Sequence, residues 1–292
     1  MIGAPASKSF TAARARPQKN RISPLLWMNL VCLDAPLVAV SWQWLFARSF
    51  GAAIPRGATA ALFLTAWLIY LADRFGDALS LGGASSVSLR QEFCAGHRTV
   101  WVISVAMIAL GDFAVVATQL DRMAITFGSA VGAFAFVYLL INRLRPSVWR
   151  VLPLKEISIG FIFAAGAMVG LMRSLSIAAL PAWLLFACLC ALNCIGIAVW
   201  ERELDTVQNR VSIATELPSV HSALLPALVG IFAISMAFAI AGTRAELHFC
   251  IALSAALLVV VHVLRARIQP DVRTALADLV LLTPLIPLLV WR

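Results

Sequence analysis

The sequence predicts an all-α polytopic membrane protein, a bundle of nine transmembrane helices. Three observations lead there. Of 292 residues, 62% are hydrophobic and 13% charged, against about 45–50% apolar and about 25% charged in a soluble domain. The apolar residues form continuous runs of spanning length rather than the alternation of a barrel strand. Lys and Arg gather in the loops on one side of those runs.

The first twenty residues, "MIGAPASKSFTAARARPQKN", are polar and basic. The apolar run behind them is long and lacks a small-residue cleavage site. Residues 1–24 therefore read as a disordered cytoplasmic tail, and 25–292 as a single membrane domain. Spans are expected at 25–47, 57–75, 99–119, 123–141, 157–173, 178–199, 222–242, 246–264 and 274–291. Only "QLDR" (119–122) separates the third from the fourth. With the N-terminus inside, seventeen of the 23 Lys and Arg residues fall on the inner side. That asymmetry predicts a cytoplasmic N-terminus and an external C-terminus, in an inner or plasma membrane.

The net charge of +9 sits in short loops beside apolar spans. Membrane topology explains it, and nucleic-acid binding is not indicated. Six cysteines lie mostly within apolar runs and have no zinc spacing, so they read as small buried hydrophobes. Four scattered histidines offer no metal site. The Gly/Ser-rich stretch "GDALSLGGASSVSLRQE" (76–92) lacks the GK[ST] ending of a phosphate loop. It suits either a cap over a site or a plain linker. "GSAVG" (128–132) and "GAMVG" (166–170) read as close helix packing.

Acids are few, and two pairs share one spacing: Asp73 with Asp77, and Glu201 with Asp205. Residues four apart share a helix face. The second and sixth spans both run inward, so both pairs are expected at the cytoplasmic face. Carboxylates this close repel and are costly near lipid, a cost a divalent cation offsets. Mg²⁺ takes one or two carboxylates plus phosphate oxygens and waters. Facing pairs therefore suggest Mg²⁺ around a diphosphate, held by Asp73, Asp77, Glu201 and Asp205. Arg74 and Arg202 each follow the first acid of a pair, and Arg143 follows the fourth span. These are the candidate diphosphate contacts.

These residues resemble the UbiA superfamily of intramembrane prenyltransferases over nearly the whole chain after residue 24. "LDAP" (33–36) is similar to its opening Leu-Asp-x-Pro. "DRFGD" (73–77) resembles the end of its first motif, Asn-Asp-x-x-Asp-x-x-x-Asp. "YLLINR" (138–143) resembles its Tyr-x-x-x-Lys-Arg, and "ERELD" (201–205) its second motif, Asp-x-x-x-Asp. Where the family has Asn-Asp, this chain has Ile69-Tyr70, so the first motif is degenerate. Asn142 stands for the lysine and Glu201 for an aspartate.

The resemblance implies Mg²⁺-dependent transfer of an isoprenoid chain from a prenyl diphosphate to a lipophilic, possibly aromatic, acceptor. The degenerate motif motivates an alternative: a catalytically decayed protein of the same fold that binds an isoprenoid lipid or a protein partner. A transporter would show internal repeats and midplane polar groups. Here most acids lie at one face, and no protein partner is inferable.

Further candidates for a cavity are Asp34, Asn193, Asp278 and Tyr138. Asp34 and Asp278 are acids within or at the inner end of spans, which are functional candidates by default. Asn193 lies two turns before Glu201. Tyr138 also suits an aromatic belt, as does Trp200. Asp112 is expected towards the outer leaflet, in a structural pairing.

Overall fold

A computed structural model describes residues 24–79 and 87–290, and all regular structure among them is helical. The predicted tail, with Lys8, Arg14, Arg16, Lys19 and Arg21, lies outside the described residues apart from Pro24. So do 80–86 of the Gly/Ser-rich stretch and the last residue of the ninth span.

Six predicted segments stand as helices long and apolar enough to cross a membrane: α3 (Ala58–Leu79), α5 (Arg98–Gln119), α6 (Arg122–Leu144), α9 (Leu180–Val207), α11 (Val220–Ile240) and α12 (Ala245–Val263). The narrow split at "QLDR" is real. Asp121 caps α6 by accepting from Ala124 N at 2.8 Å. The other three predicted spans differ from single long helices. The first is broken into α1 (Pro24–Leu30) and α2 (Asp34–Phe50). Cys32 takes a left-handed φ of 59° there, a conformation non-glycine residues seldom adopt. Asp34 then starts α2, its Oδ1 accepting from Ala35 N at 2.9 Å. Pro36 falls in the first turn, where its missing N–H costs no helical bond. The fifth is α8 (Lys155–Met168), finished by a 3₁₀ turn, Val169–Leu171. The ninth is α13 (Pro270–Leu279), a 3₁₀ turn at Val280–Leu282, then α14 (Leu285–Val290). Pro284 follows that turn, as expected of a residue that cannot continue a helical ladder, and Pro287 falls in the first turn of α14, where its missing N–H costs no helical bond.

α9 and α12 are the buried helices, whereas α3, α5, α6 and α11 turn most of their surface outward. Phe113 on α5 and Phe134 on α6 are 72% and 68% exposed. Such faces are unremarkable against hydrocarbon and would be a liability in water. The core gathers α2, α8, α9, α12 and the end of α13, with Trp42 stacked on Phe186 at 4.4 Å. α8 and α9 meet through Gly160: a Cβ there would lie 2.5 Å from Ala191 Cα. Gly160→Leu therefore forces the pair apart, at a cost of about 1–3 kcal/mol. Thermal unfolding in detergent is expected to show a lowered midpoint.

Three short helices complete the acid-bearing end: α4 (Leu89–Gly96), α7 (Val148–Val151) and α10 (Ile213–Glu216). α4 opens with Ser88 N donating to Gln91 Oε1 at 3.0 Å, one half of a capping box. It takes in residues 89–92, the last part of the stretch expected to be a cap or a linker.

Candidate active site

A cavity of about 430 Å³ runs between the helices, within the range of small-molecule sites, about 300–1,000 Å³. Along α3 its wall is Ala58, Ala61, Leu62, Thr65, Ala66, Ile69, Tyr70 and Asp73, the three-and-four spacing of one helical face. The fifteen steps from Ala58 to Asp73, at about 1.5 Å each, give a bore about 22 Å long. Its walls are mostly apolar or glycine. Gly132 and Gly166 have nothing within 4 Å of a Cβ position, and both line the bore. The glycine motifs thus do more than pack helices. Gly170 and Gly128 are close-packed instead: a Cβ at Gly170 would lie 2.8 Å from Ala58 Cβ, and one at Gly128 3.3 Å from Val169 Cγ1. Gly132 and Gly166 are the motif glycines that make room.

The wall continues into the acids. On α3, Asp77 is one turn beyond Asp73. On α9, Cys190, Asn193, Cys194 and Ile197 line the bore, and Glu201 is one turn beyond Ile197. Both acidic pairs ride on helices that run to Leu79 and Val207, past the ends expected for their spans. Arg210 closes the turn after α9, its N donating to Asp205 O at 2.8 Å. Its guanidinium pairs with Asp77 at 2.5 Å. The two acid-bearing tips therefore stand at the same end of the bundle. Burial pulls the Arg210 guanidinium down, but Asp77 and its other acidic neighbours outweigh it, leaving it above the usual arginine value.

Four carboxylates do not amount to four open ligands. Glu201 accepts from Arg90 Nη2 at 2.7 Å and from Thr274 Oγ1 at 2.9 Å. Arg90 sits on α4, which also exchanges amide hydrogen bonds between Gln91 and Gln208 at 3.0 and 3.2 Å. α4 is thereby fastened across the end of α9. Among the described residues, no three His, Cys, Asp or Glu side chains converge as a ready metal cluster.

None of the three arginines expected to bind phosphate is among the residues lining the cavity. Arg74 donates to Tyr70 Oη at 3.0 Å and lies over its ring at 5.0 Å. It is not among the residues lining the cavity. Arg202 is exposed. Arg143 is exposed and donates to Gly76 O at 3.2 Å, tying α6 to α3. For Arg74 and Arg202 the cause is helical geometry: one residue's step turns about 100°, so the neighbour of an inward acid does not point inward with it. Among the described residues, Arg90 pairs with Glu201 and Arg210 with Asp77, and both arginines come from segments between spans.

Asp278 and Asn193 both line the cavity, and Asn193 Nδ2 donates to Asp278 Oδ1 at 3.1 Å. Tyr70 Oη donates to Asp278 Oδ2 at 3.3 Å. Asp34 is 1% exposed and accepts from Asn29 Nδ2 at 2.6 Å. It supports the wall from behind rather than lining it. Tyr138 is not an aromatic-belt residue. It is buried and lines the cavity, with a hydroxyl that has no hydrogen-bond partner among the described residues. Trp200 also turns inward, donating to His262 Nδ1 at 3.0 Å.

No family model matches the chain, and no curated protein matches it. Among solved structures it is similar to the apo structure of a UbiA homolog from Aeropyrum pernix K1. The TM-score is 0.59 at 16% identity, over 88% of this chain and 98% of that one. The fold is therefore UbiA-like.

Proposed function

We propose that this chain is an integral-membrane prenyltransferase, moving an isoprenoid chain from a prenyl diphosphate to a lipophilic acceptor with Mg²⁺. One observation carries the reading: an apolar bore of about 22 Å opens at the end where Asp73 lines it and the paired acids follow one turn on. A molecule with a long apolar tail and an anionic, metal-binding head matches both parts.

The donor set fits Mg²⁺ with a reduced protein share. Asp77 and Glu201 are committed to Arg210 and Arg90. Asp73 and Asp205, one from each motif, are the carboxylates to hold a metal, and one or two suffice when phosphate oxygens and waters fill the remainder. Bound there, Mg²⁺ would neutralise charge on the leaving diphosphate. Arg210 and Arg90 would then serve the same charge as side-chain cations, taking the role first assigned to Arg74, Arg143 and Arg202. The apolar bore would hold the chain and keep water from the allylic cation. Tyr138, Asn193 and Asp278 would orient the acceptor at the charged end. The acid-bearing end is assigned to the cytoplasmic side from the Lys and Arg asymmetry.

A radiolabelled prenyl diphosphate supplied to membranes with lipophilic phenols tests this. Labelled product is expected with Mg²⁺ and is lost on chelation. Glu201→Ala is expected to slow it about 10-fold or more, by freeing Arg90 and removing a charge beside the metal. A wild-type rate without divalent cations, or in Glu201→Ala, would remove the site assignment.

The second reading, a decayed isoprenoid-binding protein, is favoured by Ile69 and Tyr70. Ile69 presents hydrocarbon to the cavity, and Tyr70 is engaged with Arg74 and Asp278. Ile69→Asn with Tyr70→Asp restores the missing ligands. Mg²⁺ affinity rising with product formation going from none to measurable supports decay; an already active wild type rejects it.

A further inference from the structure

The charged end leaves one polar feature of the cavity unused. Asp112 lies well inside α5, and Thr65 faces it from α3. Thr65 Oγ1 donates to Asp112 Oδ2 at 2.8 Å. Both residues line the cavity, among apolar neighbours such as Ala61, Leu62 and Val116. Asp112 is only 9% exposed, and its Oδ1 is buried with no hydrogen-bond partner among the described residues. The expected structural pairing therefore satisfies half of this carboxyl. An unmet buried polar atom is costly, and so is an acid within a span unless something engages it. Thr65 precedes Asp73 by eight residues on α3, about 12 Å along the bore.

We infer that Thr65 and Asp112 form a second, polar subsite of the cavity, which takes a hydroxyl group of a lipophilic ligand. The inference rests on the cavity being a lipid-tail site and not on the transfer chemistry. A hydroxyl both donates and accepts. It can therefore meet the carboxyl whether ionised or neutral, once the Asp112 side chain turns its buried Oδ1 towards the bore, and it brings no net charge into the bilayer. A purely hydrocarbon tail passing this point leaves Oδ1 unmet. The subsite thus favours ligands carrying an alcohol about 12 Å from the charged end.

Equilibrium binding in lipid nanodiscs tests this with two tritiated probes of equal chain length: a long-chain primary alkanol and an alkyl diphosphate. Asp112→Leu and Thr65→Val are each expected to weaken alkanol binding about 10-fold, which is about 1.4 kcal/mol, and to change alkyl diphosphate binding, whose tail passes the same wall, far less. Asp112→Asn keeps the hydrogen-bonding capacity and is expected to stay near wild type. Unchanged alkanol affinity in Asp112→Leu would mean that Oδ1 holds only water, and overturns the proposal. Equal loss of both probes in Asp112→Leu and Thr65→Val would make the pair a support of the fold, and also overturns it. Failure of the wild type to bind alkyl diphosphate contradicts the prenyl-diphosphate reading instead and leaves the alkanol comparison decisive.

Discussion

Asp73→Asn is expected to lower prenyl transfer by about 100- to 1,000-fold, the range for removing one preorganised group that stabilises charge developing at a reacting centre. Asp73 is the motif acid that lines the cavity. The amide keeps the shape of the side chain and removes the charge that would bind metal. Asp77→Asn supplies the internal contrast. Asp77 is already paired with Arg210, so its loss frees a cation at the diphosphate site and is expected to cost less, about 10-fold. The check is kcat and KM for a prenyl diphosphate in membranes. Asp73→Asn should act on kcat while the tail, held by the bore, keeps KM within a few-fold. Equal effects of the two substitutions would contradict this ordering of the acids.

Gly132→Phe is expected to change which chain lengths are accepted. Gly132 lines the bore and has open space at its Cβ position, so an aromatic ring there occupies the cavity rather than colliding with a helix. Long prenyl diphosphates should lose about 100-fold in affinity, about 2.7 kcal/mol, because their distal units no longer enter. Short ones should bind as before. Competition of unlabelled prenyl diphosphates of graded length against one labelled probe reads this directly. A uniform loss at every length would mean that the tail does not run past α6.

Much of this arrangement was legible in the sequence because lipid imposes period and length. Residues 99–141 show this: two apolar runs split by "QLDR" became α5 and α6, with Asp121 as the cap. The i, i+4 acids were equally readable, since helical geometry alone puts them on one face. Harder to read was where a run breaks. The first segment has apolar length enough to span, yet "LDAP" supplies both an acid that opens a new helix and a proline suited to a first turn, and α1 and α2 part at Cys32. The direction of side chains was also hidden. Arg74 and Arg202 follow acids in sequence, but one step rotates them away. Arg90 and Arg210 reach the acids from distant segments and looked like ordinary inner-face cations. Asp112 was expected at the outer leaflet; its place on the cavity wall depends on how α5 packs against α3. That packing is set by many long-range contacts rather than by any local pattern.

The most direct measurement is an experimental structure with a non-hydrolysable prenyl diphosphate analogue and Mg²⁺. The diphosphate is expected between the tips of α3 and α9, beside Asp73 and Asp205, with its tail along α3 past Ile69, Ala66 and Thr65. A headgroup bound elsewhere on the surface, or a tail lying outside the bore, would contradict the account.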